Sequence, residues 1–292
     1  MTWVITGGSG QLGIALHDNL QARDISNIAL SKSDLDITVL NDLMKIDSLK
    51  PSLIVNCAAW TNVDGAEDNE ERVRLVNRIG AKNLAITARK IGIPLLHIST
   101  DYVFSGKQKK PWRVEDETIP TSIYGRTKRE GELEIQAEYP SSSYIVRTAW
   151  LYSPWGRNFA KTILARAIKN IPSRVVDDQI GQPTSAVDLA EQLRVLAMSG
   201  APFGVYHVTN AGSASWFEFA QEIYRIAGAD PNLVTPVSTH DFPTRAKRPT
   251  FSVLDNSKWS EVNIDAMQDW RIALGSVFPA ILSEVKRELG YE

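Results

Sequence analysis

The sequence predicts an α/β protein: a doubly wound parallel sheet with a smaller C-terminal α/β domain. Three observations carry that expectation. Through the first half, short strands that are apolar throughout alternate with amphipathic helices, the pattern of a parallel sheet covered on both faces. A glycine-rich stretch, GGSGQLG, joins the first strand to the first helix. Beyond residue 150 the alternation loosens into separate helices, short strands and a proline-rich stretch. With 292 residues, the chain is long enough for one large domain or two modest ones with a substantial core.

The elements follow in order. WVIT (3–6) is a short β-branched strand, and QLGIALHDNLQA places Leu12, Ala15, Leu16 and Leu20 on one helical face. NIALS (27–31) is a second strand. LIVNCAA (53–59) is an apolar run too short for a helix, hence a third. From Glu67 to Ile91, Val73, Val76, Gly80, Leu84, Ala88 and Ile91 recur at helix spacing, and Gly92 ends the helix. IPLLHIS (93–99) is the fourth strand, a helix starts near Ser122, and SYIVRTAWLY (143–152) is strand again. NFAKTILARAIKN (158–170) is amphipathic, and QIGQPTSAVDLAEQLRVLAMSG is a turn and then a helix ended by Gly200. GVYHVTN (204–210) is a strand. SWFEFAQEIYRIAGA (215–229) is a helix with Ser215 and Glu218 in capping-box spacing. Residues 231–249 read as loop, and a terminal helix is expected from about Asp265. The nucleotide-binding part is expected to comprise 1–150 with returning segments near 172–210 and 247–255. The second domain would take 151–171, 211–246 and 256–292.

Composition narrows the function classes. Net charge is −2 with no basic stripe, which argues against nucleic acid as a partner. The single cysteine, Cys57, rules out a disulfide within the chain and reads as a small buried side chain. The four histidines, His17, His97, His207 and His240, have no metal-ligand spacing, so no metal is expected. MTWVITGGSG enters a strand at once, without a basic-then-apolar leader, and no apolar run reaches eighteen residues. A cytoplasmic protein with no membrane partner is expected.

Gly7, Gly10 and Gly13 have the spacing of a dinucleotide loop: a tight turn, a close approach of backbone to pyrophosphate, and close packing of helix on sheet. A structural turn is the competing reading. No Lys-Ser/Thr follows, so this is not a P-loop. Asp34 and Asp36 lie about twenty residues further on, where an acid meets adenosine. Lys32, just after the second strand, is placed for a 2′-phosphate, which leans towards NADPH, with NADH as the alternative donor. Small Ala58 and Ala59 let a cofactor lie across the strand ends. Gln11, Leu12, Ile37, Thr61 and Asn77 complete the expected cofactor-binding set.

Thr100 ends the fourth strand, and Tyr124 and Lys128 lie four apart on one helical face. A phenol is a poor proton donor or acceptor at neutral pH without help, and a nearby ammonium favours the phenolate. The same lysine suits a nicotinamide ribose, and a Thr hydroxyl suits a substrate carbonyl. Thr100, Tyr124 and Lys128 are therefore the candidate catalytic residues.

The order GGSGQLG, NCAAWTNVDGAE, STDYVF, YGRTK resembles the extended short-chain dehydrogenase/reductases. Later segments, RTAWLY, NFAKTIL, VVDDQIGQPT, SWFEFA and RPTFSVLDNSK, are similar to the branch of dTDP-4-dehydrorhamnose reductases and extend the resemblance over nearly the whole chain. The resemblance implies a Rossmann-type NADP(H)-binding sheet and a sugar-nucleotide-binding domain. It also implies hydride transfer from NADPH to C4 of dTDP-4-dehydro-β-L-rhamnose, with Tyr124 supplying the proton, Thr100 holding the oxygen and Lys128 binding ribose. By motif position it places Val63, Asp101, Tyr102 and Trp150 against the sugar, and Asn158, Gln182 and Arg248 against the thymidine diphosphate. Ala15 stands where some relatives carry a carboxylate used in metal-assisted dimerisation, so monomer and homodimer both stay open. Trp60 replaces a more usual Tyr or His. Two other readings remain: an epimerase or dehydratase on the same fold, and a non-catalytic NADP-binding subunit resembling the methionine adenosyltransferase β subunit.

Overall fold

The computed structural model describes residues 1–291. Six parallel strands form the central sheet: β1 (Trp3–Thr6), β2 (Asn27–Leu30), β3 (Leu53–Asn56), β4 (Leu95–Thr100), β5 (Ser143–Thr148) and β6 (Gly204–His207). Their order is β6-β5-β4-β3-β1-β2. The chain therefore winds in opposite directions from the β1/β3 boundary, and ligands of open α/β sheets bind beyond the strand carboxyl ends at such a switch point. Strands β1, β3 and β5 are buried along their whole length, which is why they carry no polar alternation.

Helices cover both faces. On one side lie α1 (Gln11–Gln21) and the helix Ala186–Met198, whose Leu189, Leu193 and Leu196 share a core with Leu12, Leu16 and Leu20. On the other lie α2 (Ala81–Ile91) and α3 (Ile123–Glu138), with Leu84, Ala88 and Ile135 packed on Val4, Ile54 and Leu95. The helical periodicity over 67–91 resolves into Glu70–Arg74, a π-wound turn Leu75–Gly80, and α2, which ends on Gly92 in the left-handed conformation.

A separate core belongs to the cap. It joins α4 (Phe159–Ile168), α5 (Trp216–Ile226) and α6 (Trp270–Leu289) through Leu164, Phe219, Tyr224, Trp270 and Leu274. Ser215 caps α5 and Glu218 closes the capping box. The 231–249 segment, expected as loop, contains a strand: Val234–Val237 pairs in parallel with Ser173–Val176. Pro236 is tolerated because a two-stranded ribbon has edges where its missing N–H leaves no ladder bond unmade. The terminal helix begins at Trp270, not Asp265, because Asp269 accepts from Arg271 N as its N-cap. Segment membership follows the two cores. Val175 and Val234 pack in the cap, whereas Trp259 and Met267 join the sheet core. Among the described residues, no helix is long and apolar enough to cross a membrane, and no group of three His, Cys, Asp or Glu is gathered to hold a metal ion.

Candidate functional site

A cleft of about 1530 Å³ runs between the carboxyl ends of the strands and the cap. Pockets for one small molecule usually span roughly 300–1,000 Å³, so this one has room for two ligands end to end.

The first wall is the glycine loop. Gly7 has φ +71°, and a Cβ there would lie 2.6 Å from Ala58 N. A Cβ on Gly13 would lie 2.3 Å from Gly7 O, so Gly13 acts in packing the helix on the loop and does not itself line the cleft. No side chain caps α1 at Gly10, which leaves its first N–H groups and positive dipole end facing the cleft beside Ser9, Gln11 and Leu12. That is a cradle for a diphosphate. Lys32, Leu35, Asp36 and Ile37 line the next stretch, followed by Ala58, Ala59, Thr61 and Val63. Asp34 is not among the lining residues. Its carboxylate accepts from Ser31 N and Oγ in a turn, and these bonds hold it below the usual carboxylate range. Asn77 also stands behind the wall. Its Oδ1 accepts from Trp60 N and its Nδ2 donates to Thr127 Oγ1, so it shapes the Trp60–Thr61 loop from beneath.

Thr100, Tyr124 and Lys128 all line the cleft, and Thr100 and Tyr124 are hydrogen-bonded. α3 reaches this depth because Gly125 lets it press on the turn Asp101–Val103; a Cβ on Gly125 would lie 2.2 Å from Tyr102 O. Ser122 caps α3, which starts where the sequence placed a helix. The Thr100 hydroxyl donates to Asp101 Oδ1 at 3.0 Å and accepts from Tyr102 N at 3.2 Å. The Tyr102 ring meets Tyr124 edge-on, with centroids 5.6 Å apart. Lys128 is only 2% exposed. Its Nζ donates to Ile98 O at 2.6 Å and stands 3.3 Å from His97 Nε2.

The electrostatics differ from the sequence-based expectation. Burial pushes the Tyr124 phenol well above its ordinary range, with a hydrogen bond to Thr100 opposing it, and the Lys128 charge is not among the causes. Desolvation lowers Lys128 to about 8, against the charge of Glu132. Tyr124 is thus held as a neutral acid, not eased towards phenolate. Burial also raises Asp101 to about 6 and the Cys57 thiol to about 12.

The cap supplies the far wall. Trp150, at φ +45°, stacks on Trp216 with centroids 3.5 Å apart and planes 6° apart. Gly181 makes room beneath it, where a Cβ would come within 2.4 Å of the indole. Asn158 caps α4 through Oδ1, while its Nδ2 donates to Gln11 Oε1 at 3.0 Å, tying cap to glycine loop. Arg248 lines the cleft but is engaged: it pairs with Asp64 at 2.7 Å and reaches Tyr102 Oη at 3.5 Å. Gln182 is not brought to the site. It is buried, and its amide bonds both Leu254 O and Leu254 N, closing a loop through backbone. Residues that sequence reasoning missed include Trp216, Arg166 and Arg174 in the lining. Trp216 had a signal, standing at the first turn of a capped helix, but nothing in its spacing distinguishes lining from core. At the end of β5, Thr148 Oγ1 is buried without a hydrogen-bond partner and faces this cleft.

The family model described as RmlD substrate binding domain matches residues 1–282. The chain is 41% identical to a dTDP-4-dehydrorhamnose reductase of Streptomyces griseus, covering 98% of this chain and 95% of that one. It is 40% identical to a dTDP-4-keto-6-deoxy-D-glucose reductase of Streptomyces niveus, covering 96% and 97%. Among solved structures, a dTDP-4-dehydrorhamnose reductase of Bacillus anthracis in complex with NADP superposes with a TM-score of 0.91 at 36% identity, covering 95% of this chain and 98% of that one.

Proposed function

We propose, from the premise that the chain belongs to the RmlD substrate binding domain family, that it reduces the C4 ketone of dTDP-4-dehydro-β-L-rhamnose to dTDP-L-rhamnose with NADPH. The observation that carries the reading is that Thr100, Tyr124 and Lys128 line one cleft with room for two ligands. The residues present fit a dinucleotide: the uncapped helix end receives the diphosphate, and Gly7 and Ala58 leave a floor that any Cβ on Gly7 would fill. Gly10, Gln11 and Leu12 would hold the diphosphate, Lys32, Asp36 and Ile37 the adenosine, and Ala58, Ala59, Thr61 and Lys128 the nicotinamide side. Lys32 is the group that favours a 2′-phosphate and hence NADPH over NADH.

A bound dihydronicotinamide supplies the hydride. The carbonyl carbon gains that hydride, the π electrons pass to O4, and Tyr124 Oη gives O4 its proton. Tyr124 is protonated at neutral pH, the state the transfer requires, and burial keeps it so while making it a weaker acid. Thr100 would orient the oxygen by turning its O–H from Asp101 Oδ1 to O4, its Oγ1 still accepting from Tyr102 N. The stacked Trp150 and Trp216 offer a flat apolar face to a sugar or base, and Val63 and Tyr102 bound the same space. Arg248 meets the substrate diphosphate as half of an ion pair with Asp64.

The test is product identification. Purified protein with NADPH and the 4-keto sugar nucleotide is expected to consume nicotinamide in equal amount to a product whose NMR couplings show the rhamno configuration at C4. Turnover without net loss of NADPH would replace the reductase by an epimerase. Reduction of the 4-keto-6-deoxy-D-glucose nucleotide alone would move the substrate assignment.

A further inference from the structure

Lys128 has a partner that the mechanism above does not use. His97 sits at the middle of β4 and is 1% exposed. Strand register sets Thr6 beside Asn56 and Asn56 beside His97, on one face of three neighbouring strands. The side chains link into a buried chain: Thr6 Oγ1 donates to Asn56 Oδ1 at 2.7 Å, Asn56 Nδ2 meets His97 Nδ1 at 2.8 Å, and His97 Nε2 meets Lys128 Nζ at 3.3 Å.

The direction of this chain is decided at Ala58. Its backbone N–H, which can only donate, points at Asn56 Oδ1 at 3.1 Å. Turning the amide round would set Nδ2 against that N–H, so Oδ1 stays where it is and Nδ2 is the group that faces the imidazole. Nδ1 of His97 must then accept. A neutral imidazole that accepts at Nδ1 carries its proton on Nε2, aimed at Lys128 Nζ. An ammonium there would oppose donor to donor. A neutral amine accepts from Nε2–H through its lone pair and still donates to Ile98 O.

We propose that His97 is a positioning residue: as the Nε2–H tautomer it donates to Lys128 and favours the uncharged amine until the dinucleotide binds, so that binding draws a proton on to Lys128. The inference rests on the dinucleotide reading of the cleft. Other groups around Lys128 are consistent with it. His97 is kept neutral by burial, and Cys57 is a neutral thiol. Glu132, one turn along α3, is the nearby anion favouring the charged form, but its carboxylate is bound by Arg147, Arg129 and Ser99. A dinucleotide would bring ribose hydroxyl oxygens to the other side of the amine as acceptors, and acceptors favour the ammonium.

Two measurements test this. The first is the tautomer of His97 in 15N-histidine-labelled protein, assigned by its disappearance in His97→Gln. The Nε2–H pattern is expected from about pH 6 to about pH 9; an Nδ1–H or doubly protonated ring overturns the proposal. This readout needs no ligand and stands whether or not any substrate is turned over. The second is calorimetric titration with NADPH, whose nicotinamide ring is uncharged, at or just above the lowered Lys128 value of about 8, in buffers of different ionisation enthalpy. Wild type is expected to take up a proton on binding. Asn56→Asp places a carboxylate on Nδ1, reverses the tautomer and lets Nε2 accept from a charged Lys128, so uptake is expected to vanish while binding persists. Binding without uptake in the wild type, or equal uptake in a folded Asn56→Asp protein, overturns the proposal. Absence of any binding heat would instead strike the dinucleotide reading and leave the tautomer to be judged by NMR.

Discussion

The two walls of the cleft are built by different physics. On the sheet side, Thr6, Asn56, Thr100 and Thr148 stand at the carboxyl ends of adjacent strands, and parallel register pairs Thr6 with Asn56 and Thr100 with Thr148. Backbone ladders set their spacing, and the side chains only have to be short and polar. On the cap side, Trp150 is held by a stack on Trp216 and a void over Gly181, and Asn158 by a cap and a bond to Gln11. There the position of each group depends on side chains from distant segments. Under the proposed function, chemistry falls on the wall that backbone ladders space, and recognition on the wall that packing assembles.

The sharpest way to break that contrast is Tyr124→Phe. It is expected to lower kcat by roughly 10²–10⁴-fold, while the Kd for NADP⁺, read by fluorescence titration, stays near wild type. Equal activity would remove proton delivery from the sheet wall.

Ion pairs give the next largest difference. Glu132 and Arg147 are 0% and 3% exposed at 2.8 Å, within the sheet-side core. Glu132→Ala leaves a buried guanidinium unpaired and is expected to destabilise the fold by about 3–5 kcal/mol in urea melts. In the cap, Lys161 pairs with Glu288, which is 53% exposed, and Glu288→Ala is expected to change stability by no more than about 1 kcal/mol. The pH dependence has a fixed sign. Burial alone would raise Glu132, but hydrogen bonds and charge from Arg147, with Ser99 and Arg129, hold it below the usual range. Its contribution is therefore present above the ordinary glutamate pKa and lost as pH falls through the lowered one. A protein whose stability rose on acidification across that window would contradict the assignment.

Trp216→Ala tests recognition on the cap wall. Loss of the stack under Trp150 is expected to raise KM for the sugar nucleotide about 3- to 10-fold, from the ~0.5–1.5 kcal/mol of an aromatic pair, with kcat changed less. A kcat loss matching that of Tyr124→Phe would mean the cap takes part in the chemistry. The smallest effect is at the capping box: Ser215→Ala should cost about 1 kcal/mol and lower Tm, leaving the NADP⁺ affinity unaltered.

Much of the sheet wall was legible in the sequence. Gly7 with its positive φ, the strand-ending Thr100, and Tyr124 and Lys128 one helical turn apart are local demands of backbone and chemistry, and local demands leave spacing patterns. Gly125 is as necessary to Tyr124 as the cap Ser122, yet it passed unnoticed, because a glycine that admits another segment's carbonyl has no pattern of its own. Gln182 read as a ligand residue and proved to be a loop clamp on Leu254 for the converse reason: an amide in a polar motif looks the same whether its partner is a ligand or backbone. The strand Val234–Val237 was hidden by Pro236 and by a partner some sixty residues earlier.

By itself, then, the sequence determined the parallel sheet, the glycine loop and the Tyr124–Lys128 spacing, since apolar strands between amphipathic helices, glycines three apart and side chains one helical turn apart are local patterns that hold wherever the chain goes. The tertiary structure alone decided the charge environment of Tyr124, the pairing of Arg248 with Asp64, the Trp150–Trp216 stack and the Thr6–Asn56–His97–Lys128 chain. Those depend on which distant side chains come into contact once water is excluded, and burial, not spacing, then sets their pKa values and hydrogen-bond directions.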